Sequence, residues 1–168
     1  ESCIGANRFY VHHTRAEEFS SSLAHAMSTL VLGDGMKEGV DVGPLVNAST
    51  INKVEQLVDQ AVELGAKVLT GGSRLAAPGF FYQPTVLVDI PKHADILREE
   101  IFGPVAPIVT FTSQDEVIAA ANDTVFGLAA YVIGANVGNA LAVAEQLEAG
   151  VLGVNRGFIS DPAAPFGG

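Results

Sequence analysis

The sequence predicts an α/β fold, a three-layer domain in which helices flank a largely parallel sheet. Three observations predict it. Short apolar runs of strand length alternate with stretches whose apolar residues recur at helical spacing, the order expected of strands covered by helices. Of the 168 residues, 48% are hydrophobic and 17% charged, which allows a sizeable core and argues against disorder. Gly, Pro and Asp gather between the periodic stretches rather than within them.

Each element follows in order. Arg8 to His12 (RFYVH) reads as a short strand. Thr14-x-x-Glu17 has the form of a capping box, and Phe19, Leu23, Met27 and Leu30 then fall on one helical face. Gly33 to Ser49 is rich in Gly, Pro and Asp and reads as loop. Ser49 or Thr50 can cap a second helix, whose stripe is Ile51, Val54, Val58 and Ala61 and whose stop is Gly65. Strands are expected at Lys67 to Thr70, Thr85 to Asp89 and Val105 to Thr112. Ser113 to Asn122 reads as a short helix with Val117, Ile118 and Ala121 inward. Ala129 to Ile133 reads as a buried strand, Gly138 to Ala149 as a helix ending at Gly150, and Val151 to Asn155 as the last strand. No internal repeat or low-complexity tract interrupts this order.

Composition excludes several functions. The net charge is −10 and the nine basic residues are scattered, which argues against a nucleic-acid partner. One cysteine permits no internal disulfide and no cysteine-based metal cluster, and it fits a reducing compartment. No signal peptide or membrane span is legible, so the expected location is the cytoplasm and no membrane partner is expected. Asn47 and Asn122 head N-x-[ST] triplets that read as chance without a secretory signal. Gly33-Asp34-Gly35 follows a helix and completes no dinucleotide fingerprint. His12, His13, His25 and His93 show no metal-ligand spacing, so no metal is expected. The first residue, Glu1, is not Met, and Gly167-Gly168 directly follow an apolar run. The chain is therefore expected to be part of a longer protein.

Three stretches could carry chemistry. Cys3 precedes the first strand, with small Gly5 and Ala6 behind it. Read alone, it is either a packing thiol or, given access and a lowered pKa, a reactive one. Glu99-Glu100-Ile101-Phe102-Gly103-Pro104 sets two carboxylates and an aromatic ring before a stiff Gly-Pro turn. Asn155 to Gly168 (NRGFISDPAAPFGG) follows a strand, and α/β proteins place ligands in loops at the carboxyl ends of strands.

Together these segments resemble the aldehyde dehydrogenase superfamily along the whole chain. The resemblance rests on Glu1-Ser2-Cys3-Ile4-Gly5-Ala6-Asn7-Arg8, Val42-Gly43-Pro44-Leu45, Glu99 to Pro104 and Ala164-Pro165-Phe166-Gly167-Gly168, four motifs in the family's order. It implies an enzyme using NAD or NADP, in which residues 1–168 form the cysteine-bearing catalytic domain. Cys3 would be the nucleophile. Glu100 would bind the nicotinamide-side ribose and Phe102 would pack near the nicotinamide. Phe166 would wall the substrate tunnel.

Gly157-Phe158-Ile159-Ser160 resembles the succinic-semialdehyde branch of that family. There a serine hydroxyl contacts the distal carboxylate of the substrate, which a phenyl ring cannot do. Other polar semialdehydes could use the same hydroxyl. Glu1 stands where many relatives have Gln, and Gly5 where some have a second, redox-switching Cys. The family's coenzyme-binding domain, general-base Glu and oxyanion-hole Asn match nothing in the chain. Neither does the Arg just upstream of the cysteine motif, and the family's C-terminal oligomer strand would lie beyond Gly168. The chain alone is therefore expected to be inactive and marginally stable or self-associating, and the parent protein to be a dimer or tetramer. Two alternatives stand beside aldehyde oxidation: a coenzyme A-acylating dehydrogenase, and a truncated domain without catalysis.

Overall fold

The computed structural model describes residues 2–168, so Glu1 of the cysteine motif lies outside the described residues. The chain forms two compact units. One contains residues 7–110; the other contains residues 2–6 and 111–168.

The first unit is built on a four-stranded sheet in the order β1-β4-β3-β2, formed by β1 (Phe9–His12), β2 (Lys67–Thr70), β3 (Thr85–Val88) and β4 (Val105–Phe111). β3 and β4 pair in parallel from Thr85↔Val105 to Leu87↔Pro107. β2 is the exception that a largely parallel arrangement allows, running antiparallel to β3 with Lys67 opposite Val88. The reason lies in residues 71–84, which contain no crossover helix. They turn through Gly71, Gly72 and Gly79 at positive φ, and Arg74 and Tyr82 form an isolated bridge. A strand returned by a turn rather than a helix pairs antiparallel.

Two long helices cover this sheet. α1 (Ala16–Ser28) forms where the stripe predicts it, but the capping box does not. The cap position falls on Arg15, whose side chain makes no cap bond, while the Thr14 hydroxyl lies 2.8 Å from His12 Nδ1 instead. Leu23 and Met27 pack with Val86, Ala106 and Ile108, whereas Leu30 stays exposed. α2 (Ala48–Glu63) is capped by Asn47, two or three residues ahead of the expected ones. Asn47 Oδ1 accepts from the Thr50 N–H at 2.9 Å, and the Ser49 and Thr50 hydroxyls donate to that same oxygen. Ser49 and Thr50 lie inside the first turn, so their hydroxyls brace the Asn47 cap instead of forming it. The expected stripe is buried: Ile51, Val54, Val58 and Ala61, with Leu57 beside them. Gly65, at φ 112°, ends the helix. A short 3-10 turn at Asp95–Leu97 adds buried Ile96 and Leu97 to the same core.

In the second unit β5 (Ala129–Val132) and β6 (Val151–Val154) pair in parallel, joined through α4 (Val137–Ala144). α3 (Gln114–Asn122) precedes them, capped by the Ser113 hydroxyl. β5 is half-buried rather than buried, and no residue of α3 is fully buried. α4 stops at Ala144, short of the expected Ala149. Asn122 accounts for the early end: its Nδ2 donates to the Gln146 carbonyl and its Oδ1 accepts from the Glu148 N–H. A helix continuing through 148 would need those backbone groups for itself. At the far end of the unit, a Cβ on Gly150 would stand 1.7 Å from the Gly167 carbonyl oxygen, so two backbones pass where no side chain fits.

No described helix is long and apolar enough to cross a membrane.

Candidate active site

Cys3 sits in a tight turn in the second unit, where the Gly5 N–H donates to the Ser2 carbonyl at 3.0 Å. The turn leaves little room, since a Cβ on Gly5 would meet that carbonyl oxygen at 3.1 Å. Its thiol is free and exposed. Within residues 2–168 the thiol is thus not packed into either unit's core. The turn is tied to β5 by Tyr131, whose hydroxyl donates to the Ile4 carbonyl at 2.8 Å. Burial raises the Tyr131 pKa, which keeps that hydroxyl a neutral donor.

Ser160 and Phe166 come together in the same unit. Both line an open hollow of about 420 Å³, with Phe158, Pro162 and Pro165 among the other walls. The loop is anchored by Ile159, only 6% exposed, while Ser160 beside it faces outward. Asp161 then turns the chain, accepting from the Ala163 N–H through Oδ1 and from the Ala164 N–H through its carbonyl. Phe158 and Phe166 remain 60% exposed, an apolar surface around a serine hydroxyl that no other described residue engages. A wall of this kind suits a small ligand with an apolar body and a polar end.

Glu100 and Phe102 lie in the first unit. Glu100 is half-buried, and no described residue bonds its carboxylate. The backbone around it is pinned on both sides. Asn7 Nδ2 donates to the Glu99 carbonyl and Asn7 Oδ1 accepts from the Ile101 N–H, each at 2.8 Å. The Lys53 ammonium donates to the Glu100 carbonyl at 2.7 Å and lies 5.8 Å from the centre of the Phe102 ring. Phe102 has φ 48°, in the left-handed region that costs a side-chain-bearing residue on the order of 1 kcal/mol or more. Next to it Gly103 has no space to spare, because a Cβ there would meet Val54 Cγ2 at 2.6 Å. The Pro104 carbonyl accepts from the Thr85 N–H at 2.8 Å, fixing the segment to β3. A strained aromatic held by its surroundings is a feature found at ligand sites.

This donor set fits the nicotinamide–ribose end of a dinucleotide. A free carboxylate can accept from two neighbouring sugar hydroxyls, and a fixed ring can flank a flat heterocycle. Asn7, Lys53 and Tyr131 were not singled out by the sequence, because each acts through a partner far along the chain. Asn7 lies inside a motif, but its spacing does not show that its amide serves the backbone of residues 99–101. Among the described residues, no group of three or more His, Cys, Asp or Glu side chains could hold a metal ion.

Residues 1–168 match the aldehyde dehydrogenase family. A succinate-semialdehyde dehydrogenase of Paenarthrobacter nicotinovorans is 48% identical over the whole chain, which covers 37% of that relative. An Escherichia coli (strain K12) succinate-semialdehyde dehydrogenase whose name specifies NADP(+) is 45% identical, with 35% of it covered. The crystal structure of succinate-semialdehyde dehydrogenase from Burkholderia pseudomallei superposes with a TM-score of 0.96 at 43% identity, over 99% of this chain and 34% of that one. The chain thus spans about a third of the length of these relatives.

Proposed function

Since the chain belongs to the aldehyde dehydrogenase family, we propose that it is the cysteine-bearing part of an NAD- or NADP-dependent enzyme that oxidises succinic semialdehyde, or a similar short polar aldehyde, to the acid. The observation that carries this reading is the exposed thiol of Cys3, the chain's single cysteine, held on a fixed turn in the unit that also holds the Ser160–Phe166 hollow. The names and high identity of the relatives support the choice of substrate.

The Cys3 thiolate attacks the aldehyde carbon. A carbon–sulfur bond forms, and the carbonyl oxygen becomes an oxyanion that the Cys3 N–H helps to hold. The nicotinamide, when bound, supplies a hydride acceptor. With the coenzyme held there, loss of hydride from the thiohemiacetal carbon would leave a thioester on Cys3, which water would hydrolyse to the acid and the free thiol. Glu100 would hold the ribose hydroxyls and Phe102 would flank the nicotinamide ring. The Ser160 hydroxyl donates to the distal carboxylate, and Phe166 excludes water from the aliphatic middle of the substrate.

The 168 residues by themselves give no turnover, because such sites lose nearly everything when one part is missing. The test is an assay of the full-length protein that carries this chain. It measures reduced nicotinamide formed from succinic semialdehyde, with NAD and NADP separately and with and without coenzyme A, and uses the isolated chain as control. Turnover by the full-length protein alone, giving free acid, is expected. A thioester product that requires coenzyme A would transfer the reading to the acylating branch. Normal turnover by the isolated chain would overturn the account of its inactivity.

A further inference from the structure

Tyr131 sits at an unusual junction. In the parallel pairing of β5 and β6 it lies opposite Gly153. Paired residues of neighbouring strands face the same side of a sheet, so the Tyr131 ring stands over a position with no side chain. That space is filled from two directions. A Cβ on Gly153 would fall 3.0 Å from Tyr131 Cδ1 and 2.5 Å from Ile159 Cγ2. Glycine in a strand interior weakens the strand, and close approach by other groups is the usual reason for it. Here the approaching groups are the Tyr131 ring and the buried side chain next to Ser160. At the other end of the ring, the hydroxyl donates to the carbonyl of Ile4, the residue after Cys3. One side chain thus touches the nucleophile's turn with its polar tip and converges with the anchor of the Ser160 loop over Gly153.

We propose that Tyr131 is a positioning residue that sets the spacing between the Cys3 turn and the Ser160 loop, and through that spacing selects aldehydes with a carboxylate at the matching distance. The inference rests on the roles proposed above for Cys3 and Ser160. An aldehyde with an acidic far end must reach Cys3 and Ser160 at once, so its reaction depends on their separation. An uncharged aldehyde of equal length needs only Cys3. Tyr131→Phe keeps the ring and removes only the bond to the Ile4 carbonyl, so it loosens one end of the spacer with little effect on packing.

The experiment compares kcat/KM for succinic semialdehyde and butanal in the full-length protein, for the parent, Tyr131→Phe and Ser160→Ala, with coenzyme affinity and melting temperature recorded for each. One lost hydrogen bond corresponds to about a three- to tenfold effect. Tyr131→Phe is expected to lower kcat/KM for succinic semialdehyde by about that factor, to lower it for butanal by less than about twofold, and to leave coenzyme affinity unchanged. An equal fall for both aldehydes, or none for either, while Ser160→Ala does lower the preference for the acidic aldehyde, overturns the inference and leaves the reading of Ser160 intact. If Ser160→Ala keeps the full preference, the reading of Ser160 fails and the inference falls with it. Should Tyr131→Phe lower the melting temperature markedly, Gly153→Ala separates the cases. Its methyl presses on Ile159 and on the Tyr131 ring while leaving the hydroxyl chemically present, and it must also narrow the preference between the two aldehydes if the spacer acts as proposed.

Discussion

Tyr82 carries a hydroxyl in a place that gives it nothing to do. The residue is 1% exposed, and its ring belongs to the core formed with Val54, Leu57 and Val58 of α2. Its oxygen has no hydrogen-bond partner. Nearby Arg74 is engaged elsewhere, gripping the Glu55 carboxylate through two nitrogens and also donating to Asn52. A buried, unpaired hydroxyl costs about 1–3 kcal/mol, and Tyr82→Phe removes it while keeping the ring. The variant is expected to be more stable by about 1–2 kcal/mol, a rise in melting temperature of roughly 2–8 °C for a chain of this size. Urea unfolding of the two chains should show a higher midpoint for the variant at the same slope. A second signature lies in pH. Burial, and then the charges of Asp59 and Glu55, raise the Tyr82 pKa above its ordinary 10.0. Above that pH the unfolded chain releases the tyrosine proton while the folded chain retains it. Stability contributed below pH 10 is therefore lost as pH rises further, and the variant escapes this loss. Its advantage should widen above pH 10. A variant no more stable than the parent at pH 7, with a parallel alkaline limb, would refute the reasoning and mean that the hydroxyl is satisfied.

Three further predictions concern the site. Cys3→Ser in the full-length protein should abolish turnover while coenzyme binding and melting stay near the parent's; residual turnover near the parent rate would remove Cys3 as nucleophile. Asn7→Ala removes both bonds that pin the backbone around Glu100. It should weaken coenzyme binding by roughly tenfold in a fluorescence titration while changing aldehyde KM little, and equal changes in both would contradict that role. Asn155 follows β6 at φ 53° and pairs both amide atoms with the backbone of Gly134. Asn155→Ala should cost about 1–3 kcal/mol in urea unfolding, and Asn155→Gly less, because glycine keeps the backbone angle and loses only the bonds.

Local pattern made much of this fold legible. The buried stripe of α2, its stop at Gly65, the place of α3 and all six strand positions follow from spacing and turn chemistry that act over a few residues. The failures share one cause, competition by partners that spacing does not reveal. Thr14 has the right neighbours for a capping box but binds His12. The end of α4 is set by Asn122, more than twenty residues earlier. The antiparallel turn of β2 depends on glycines whose φ angles only a folded loop defines. Cys3, Glu100, Phe102, Ser160 and Phe166 enter the proposed function through motif resemblance. Asn7, Lys53 and Tyr131, which hold the backbone around those residues, were hidden because their bonds join residues 47 to 127 positions apart. Local sequence encodes the parts, and long-range bonds encode their alignment.

The near-collision of Gly150 with Gly167 bears on how this site could be altered. The segment ending in Phe166-Gly167-Gly168 is seated by missing atoms: Gly150 leaves room for the Gly167 carbonyl, and a Cβ on Gly168 would press into the Gly127 carbonyl at 2.6 Å. The outline of the hollow is therefore inherited from glycines that do not line it. Exchanging Phe158 or Phe166 would retexture a wall whose course stays fixed. A single methyl at position 150 would reroute the wall itself. Attempts to redirect this protein toward bulkier aldehydes thus have wide freedom in the visible lining and almost none in the bare backbone behind it.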